Sequence, residues 1–238
     1  MLDYEADAYR INHFELYRSP YHRRRIDVVY KIIVERFNPS HIIFDLGCGD
    51  GFLSKMLIEN KLKVISLDIS SNRIKRLSNR IPSARPVIGD VTQLPFKNES
   101  AYCVICSEVL EHLENPEKAV REIYRILKSG GTAIFTVPSS TNITDIIKKF
   151  FNMPIHDHTK DPGHLHFFSQ SAMENLLEKN GLKVRQVIGA PFLPRLIYII
   201  LQKLKVNPSI IENIENAIAK IPLLREKGYF QVFVTEKI

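Results

Sequence analysis

The chain has 238 residues and a mass of 27.5 kDa, the size of one large domain. Hydrophobic residues at 45% and charged residues at 25% exclude disordered, collagen-like and coiled-coil classes. Thirty-three Lys and Arg against 26 Asp and Glu leave a formal charge of +7, basic but short of a dedicated nucleic-acid coat.

The opening residues Met1-Leu2-Asp3-Tyr4-Glu5 are acidic and lack an apolar core, so no secretory signal is expected. No apolar stretch approaches the ~18 residues of a transmembrane helix, and a cytoplasmic location is expected. Residues 1–38 read as N-terminal cap helices and carry the basic run Arg23-Arg24-Arg25. From Ile42 onward short apolar runs alternate with amphipathic stretches. The runs Ile42–Leu46, Val64–Leu67, Pro86–Ile88, Cys103–Cys106 and Ala133–Val137 read as strands. Phe52–Glu59, Asn72–Arg80, Glu117–Leu127 and Ile143–Phe151 read as the helices between them. Continuously apolar strands alternating with helices indicate βαβ units and a parallel sheet buried on both faces.

Lys128-Ser129-Gly130-Gly131 reads as a helix stop with glycine just past the end. Ser169 to Asn180 reads as a helix with a serine N-cap and Gly181 as its C-cap, followed by a strand over Lys183–Ile188. Pro191 to Leu224 is an apolar, proline-punctuated helical segment, inserted before a last strand at Tyr229–Thr235.

Basic residues Arg73, Lys75, Arg76, Arg80 and Arg85 crowd Ser71 to Pro86 without an acid, a solvated face or a phosphate contact. The three cysteines Cys48, Cys103 and Cys106 give no disulfide framework and point to a reducing compartment. Cys103 and Cys106 lie three apart on a strand, so they face opposite sides and cannot share a metal.

Chemistry enters at Asp45-Leu46-Gly47-Cys48-Gly49-Asp50-Gly51, which runs from strand straight into helix. Glycines there permit tight backbone angles and a close approach of ligand to a helix N-terminus. A dinucleotide fingerprint requires G-x-G-x-x-G, and here Phe52 stands where the third glycine belongs. That spacing favours a nucleoside with an amino-acid tail over a nicotinamide dinucleotide. Asp68 ends the second strand, where a carboxylate can accept ribose hydroxyls. Gly89-Asp90-Val91 follows the third strand, where an aspartate can accept an adenine amino group, and Ser107-Glu108 follows the fourth. Four such features along one sheet edge mark a binding crevice at the strand carboxyl ends.

With these residues in view, the sequence resembles the class I S-adenosylmethionine-dependent methyltransferases, in the type 11 branch that includes ubiquinone-pathway O-methyltransferases. The resemblance covers about residues 40–190. The glycine loop, Asp68, Asp90, Ser107-Glu108-Val109-Leu110-Glu111-His112-Leu113 and Arg121–Lys128 carry it. It implies a Rossmann-like doubly wound α/β sheet of seven strands, mostly parallel with an antiparallel last strand. It divides a single domain into cap helices at 1–38, a cofactor-binding core at 40–190, a helical lid at 191–224 and a last strand at 228–236. S-adenosylmethionine, leaving as S-adenosylhomocysteine, would be held by Asp45, Gly47, Cys48, Gly49, Gly51, Asp68, Ile69, Asp90, Val91, Ser107 and Glu108. The family usually opens its fourth strand with an aromatic-Asp pair, where this chain has Ala101-Tyr102-Cys103.

Glu108, Glu111 and His112 are the catalytic candidates. In a helix the i, i+3 and i, i+4 spacings would put all three on one face. Methyl transfer depends chiefly on aligning nucleophile, methyl carbon and sulfur, and His112 suits removal of the acceptor's proton. Adding His164 to Glu108, Glu111 and His112 gives a ligand set for a divalent ion such as Mg²⁺, Mn²⁺ or Zn²⁺. In two families that this sequence resembles, ubiquinone-pathway O-methyltransferases and enzymes methylating the 3′-terminal ribose of small RNAs, Glu-x-x-Glu-His serves so. His156, His158 and His166 lie in the same histidine-rich stretch, and Gly163–Ser169 also resembles a family signature that closes the substrate pocket. In the late insertion, Phe192–Leu201 is apolar nearly all round and ends in Lys203 and Lys205. It reads as a packed lid, or as an interfacial helix touching a membrane surface. The expected activity is methyl transfer to an oxygen or nitrogen of a small, hydrophobic-compatible acceptor. The alternatives are a metal-assisted RNA ribose 2′-O-methyltransferase and a non-catalytic cofactor-binding protein.

Overall fold

A computed structural model describes residues 13–140, 142–150, 163–222 and 224–238. The expected signal-free N-terminus, His156 and His158 lie outside the described residues. Helices α1 (His13–Leu16) and α2 (Pro20–Arg36) lead into β1 (Ile42–Leu46), α3 (Phe52–Glu59), β2 (Lys63–Asp68), α4 (Ser71–Arg80) and β3 (Arg85–Ile88). Then come β4 (Ala101–Ser107), a 3₁₀ turn at Leu110–His112, α5 (Pro116–Ile126), β5 (Leu127–Pro138) and α6 (Ile143–Phe150). The chain continues through α7 (Gln170–Glu178), β6 (Leu182–Ala190), α8 (Arg195–Lys203), α9 (Pro208–Ala219) and β7 (Phe230–Lys237).

The sheet order is β3-β2-β1-β4-β5-β7-β6. β3, β2, β1, β4 and β5 pair parallel, while β7 runs antiparallel to both its neighbours. This is the expected doubly wound architecture. Apolar side chains fill both faces, because each buried strand sends alternate residues to opposite sides. Cys103 belongs to the core under α2 and α3, and Cys106 to the core under α5 and α7. The two thiols therefore stand on opposite faces of the sheet, as their spacing predicts.

Capping follows the sequence closely in places. Ser70 accepts a hydrogen bond from the Arg73 amide and opens α4, and Ser169 does the same for Ala172 at the start of α7. The helix stop at Lys128–Gly131 is a correction. α5 ends earlier, at Ile126, and β5 begins at once at Leu127. Gly130, with φ +71°, sits instead in an irregularity of that strand, where the pairing jumps from Ala101–Leu127 to Cys103–Thr132. Lys237 Nζ donates to the Leu127 carbonyl at 2.7 Å, so the early strand start is held by the neighbouring strand β7.

The insertion before β7 is two helices, α8 and α9. Their inner faces meet α2 through Tyr198 and Ile211, which pack with Tyr21. Glu215 is fully buried beneath them and accepts from the amides of Phe192 and Leu193 and from the Tyr198 hydroxyl. That carboxylate fixes the hairpin at its root. Among the described residues, no helix is long and apolar enough to cross a membrane.

Candidate active site

Three glycines shape the loop between β1 and α3, with φ of +69° at Gly47, +56° at Gly49 and +81° at Gly51. The amides of Gly47 and Cys48 both donate to the Leu67 carbonyl, at 2.7 and 3.0 Å. The Gly49 amide donates to Asp68 Oδ2 at 2.8 Å, and the Ser70 amide to Asp68 Oδ1 at 2.9 Å. The glycine loop and Asp68 are thus one rigid unit across the ends of β1 and β2. Burial raises the Asp68 carboxyl above its ordinary value, opposed by these amides and by Arg73. Because Ser70 caps α4, Asp68 is spared that duty and faces a cavity.

The cavity holds about 400 Å³ and opens along the carboxyl ends of β1 to β4, a volume suited to a nucleoside-sized ligand. Of the predicted residues it is lined by Gly47, Asp68, Ile69, Asp90, Val91, Glu108 and His112. Thr92, Asn115 and Lys118 also line it and carried no motif signal, and Val109, inside the Ser107–Leu113 motif, lines it as well. Asp45, Cys48, Gly49, Gly51, Ser107 and Glu111 are not part of its wall. Cys48, Gly49 and Gly51 belong to the loop itself, and Asp45 precedes it at the end of β1. Asp45 accepts from Ser54 Oγ at 2.6 Å, and that hydroxyl lies 2.7 Å from Ser66 Oγ.

Burial pushes the Asp45 carboxyl up to about 6, and the nearby Asp68 charge adds to the rise. Its unfolded value is 3.8, so folding takes up a proton between the two. Asp45 therefore lowers stability as pH climbs from about 4 to 6, by up to about 3 kcal/mol, and the cost persists above that window. Asp45→Asn, which retains an acceptor for Ser54, is expected to raise the melting temperature at pH 8. At pH 4 it should leave it nearly unchanged. Thermal denaturation at the two pH values checks this, and equal shifts at both would remove Asp45 as the cause.

After β4 the chain does not become an α-helix, which corrects the shared-face expectation for the acidic cluster. Glu108 takes a left-handed backbone conformation, φ +56°, before the short 3₁₀ turn that carries Glu111 and His112. The cluster splits as a result. Glu108 turns to α2, where its Oε2 meets Arg25 Nη1 at 2.8 Å, while Oε1 accepts from Thr136 at 2.8 Å. Arg25 also donates to the Tyr17 hydroxyl at 3.1 Å and lies 4.6 Å from the Phe230 ring centroid. It is only 5% exposed.

Glu111 turns the other way, into the protein. It is 1% exposed, and among the described residues neither carboxylate oxygen has a hydrogen-bond partner. Burial, reinforced by the Glu108 charge, holds its carboxyl well above the ordinary range. Its backbone carbonyl accepts from the amides of Leu165 and His166, at 2.7 and 3.1 Å. Those bonds bring the loop at 163–168 against the 3₁₀ turn. His112 Nδ1 lies 2.9 Å from the Gly163 carbonyl, and the His112 and His164 rings meet edge-on at 4.8 Å. One ligand atom from each of Glu111, His112 and His164 falls within 4.8 Å of the others. Glu108 is not in that group.

The comparisons agree with this geometry. Residues 44–135 match the family described as a methyltransferase domain. Rat mitochondrial ubiquinone biosynthesis O-methyltransferase is 31% identical over 167 residues, covering 64% of this chain and 47% of that one. A malonyl-[acyl-carrier protein] O-methyltransferase of a Marinomonas species is 28% identical over 139 residues, covering 54% and 52%. The chain spans about half the length of the curated relatives it matches. The fold is shared with a solved S-adenosylmethionine-dependent methyltransferase of Archaeoglobus fulgidus, with a TM-score of 0.62 at 18% identity over 95% of this chain and 100% of that one. The glycine loop, Asp68 and the strand ends that frame the cavity fall inside the matched segment, so residues 44–135 match a methyltransferase domain and the chain has the class I, Rossmann-like fold.

Proposed function

We propose that the protein transfers a methyl group from S-adenosylmethionine to a small-molecule acceptor. The observation that carries this reading is the cavity beside Gly47, with Asp68 and Asp90 standing in its wall at the ends of β2 and β3. The residues fit the cofactor: a Cβ at Gly47 would press Val109 of the cavity wall inward, so glycine keeps the cavity open, and Asp68 offers a carboxylate in that wall to accept from ribose hydroxyls. In this reading Asp68 holds the ribose, Asp90 and Val91 the adenine, and the Gly47 loop the methionine portion. When bound, S-adenosylmethionine supplies a methyl group on a positively charged sulfur, which a nucleophile displaces.

The chain's own work is then alignment and proton removal. A carbonyl only accepts, so His112 Nδ1 carries the proton toward Gly163 and Nε2 is the basic nitrogen. We assign His112 as the base for an acceptor hydroxyl or amine, and Glu108 as a fixed carboxylate at the cavity wall. A divalent ion on Glu111, His112 and His164 is the alternative to that base role, because it would take the Nε2 lone pair. The orphan carboxylate of Glu111 favours it, since a buried carboxyl with no donor beside it calls for a counter-charge or a proton. Such an ion would polarise an acceptor oxygen.

Calorimetric titration of the chelator-treated protein with S-adenosylhomocysteine tests the cofactor reading. Micromolar binding is expected, lost on Asp68→Ala. No binding by the folded protein would overturn the methyltransferase assignment. A parallel titration with Mn²⁺ should show binding that disappears in Glu111→Gln, which keeps the shape and loses the charge. Persistence of Mn²⁺ binding in that variant would remove the metal.

A further inference from the structure

The outward faces of α8 and α9 break the usual pattern for a surface helix. α8 buries Tyr198 and half-buries Leu201 on its inner stripe, yet its outer stripe is Leu196 and Ile200, followed by Leu204, at the i, i+4, i+8 spacing. Their exposures are 64%, 46% and 68%. α9 repeats the arrangement: Ile211 and Glu215 face inward, while Ile210 and Ile214 are exposed. Isolated exposed aliphatics are ordinary, but with Ile197 and Ile199 seven large ones are exposed within one short hairpin and give it an apolar surface.

The charge around this patch is mainly positive. α8 contains no acid, and Arg195, Lys203, Lys205 and Lys220 are all exposed. Of the two acids in α9, Glu215 is buried at the root and Glu212 lies 3.8 Å from Arg24 of α2. A second copy of the chain would set these cations against their own like. An apolar helix face edged by lysines is instead the composition that seats at the headgroup level of an anionic bilayer.

Topology places the patch usefully. The hairpin leaves the sheet at Ala190, which pairs with Phe230, and Phe230 pairs with Pro138 at the carboxyl end of β5. That is the sheet edge on which the cavity opens. We propose that α8 and α9 form an amphipathic hairpin that docks the protein on an anionic lipid surface. Docking there brings the cavity edge to headgroup level, so the acceptor is an amphiphile met at that surface; this last clause rests on the methyltransferase reading, whereas the docking does not.

Co-sedimentation with extruded vesicles of phosphatidylcholine alone and of phosphatidylcholine mixed with phosphatidylglycerol tests it. The protein should pellet with the mixed vesicles, stay in solution with phosphatidylcholine alone, and be released by high salt. Lys203→Ala with Lys205→Ala should lower partitioning roughly tenfold or more. Leu196→Glu with Ile200→Glu should abolish it while leaving S-adenosylhomocysteine binding intact, which shows the domain is folded. Equal recovery in the supernatant for both vesicle types overturns the proposal. So does a dimer in light scattering that the Leu196→Glu, Ile200→Glu variant dissociates. Vesicle binding without S-adenosylhomocysteine binding would leave the docking standing and remove only the methyltransferase reading.

Discussion

Arg25→Met is expected to cost about 3 kcal/mol of folding stability, a large share of the ~5–15 kcal/mol typical of a domain. The reason lies in what remains. Arg25 is buried and pairs with Glu108 at 2.8 Å, which sits on a backbone already in the left-handed region. Removing the guanidinium leaves the Glu108 carboxylate, 19% exposed, without its cation and close in sequence to the more deeply buried Glu111, whose charge raises the cost of a second one there. Methionine keeps the aliphatic bulk, so the loss reports charge rather than a cavity. Arg25→Met with Glu108→Gln should recover most of the stability, because both charges leave together. Urea denaturation of the wild type, the two single variants and the double variant measures the coupling. Additive losses would mean that the pair is incidental.

The second large effect belongs to Gly47→Ala. Any residue with a side chain pays about 1–2 kcal/mol for φ +69°. Here the new Cβ would also fall inside van der Waals contact of Val109 Cγ2. Valine has little freedom to turn aside, and Val109 is part of the cavity wall. The relief available is movement of Val109 into the space meant for a ligand. S-adenosylhomocysteine affinity should therefore fall at least about tenfold, with a stability loss of about 2 kcal/mol. Gly130→Ala supplies the control. Gly130 has nearly the same φ, +71°, but nothing lies within 4 Å of its new Cβ. It should show the backbone cost alone and unaltered binding. Matched losses of affinity in the two variants would show that strain, and not the Val109 contact, is responsible.

The sheet and the ligand-facing strand ends were legible because both follow from local patterns. Runs such as Ile42–Leu46 can only be buried on two faces, and the glycine loop must join such a strand to a helix. What escaped the sequence depended on contacts between distant segments. In sequence Arg25 is one of three consecutive arginines with nothing to set it apart from its neighbours. Arg23 pairs at the surface with Asp27, but Arg25 lies four residues from both Tyr21 and Val29, on the buried stripe of α2. A cation at that point of the helical period announces a buried partner, and the period alone could have revealed it. Which partner could not be read, since Glu108 lies 83 positions away. The division of the Glu108, Glu111 and His112 cluster was equally hidden. Helical spacing put the three together, and a single left-handed residue at Glu108 sent them to different neighbours.

Strand β7 has a consequence for how the chain assembles. It is the last strand in sequence, yet it lies between β5 and β6. While the chain is being made, β1 to β5 can pair as they emerge, each new strand finding an edge already present. β6 cannot. Its place depends on a strand that is synthesised some forty residues later, beyond the whole α8–α9 hairpin. Until Phe230–Lys237 arrives, the edge of β5 stays open and α7 and β6 wait beside an unfinished sheet, with unpaired backbone groups exposed to other nascent chains. The vulnerable interval in this protein's biogenesis is therefore set by the length of the insertion, and shortening that segment would shorten the wait.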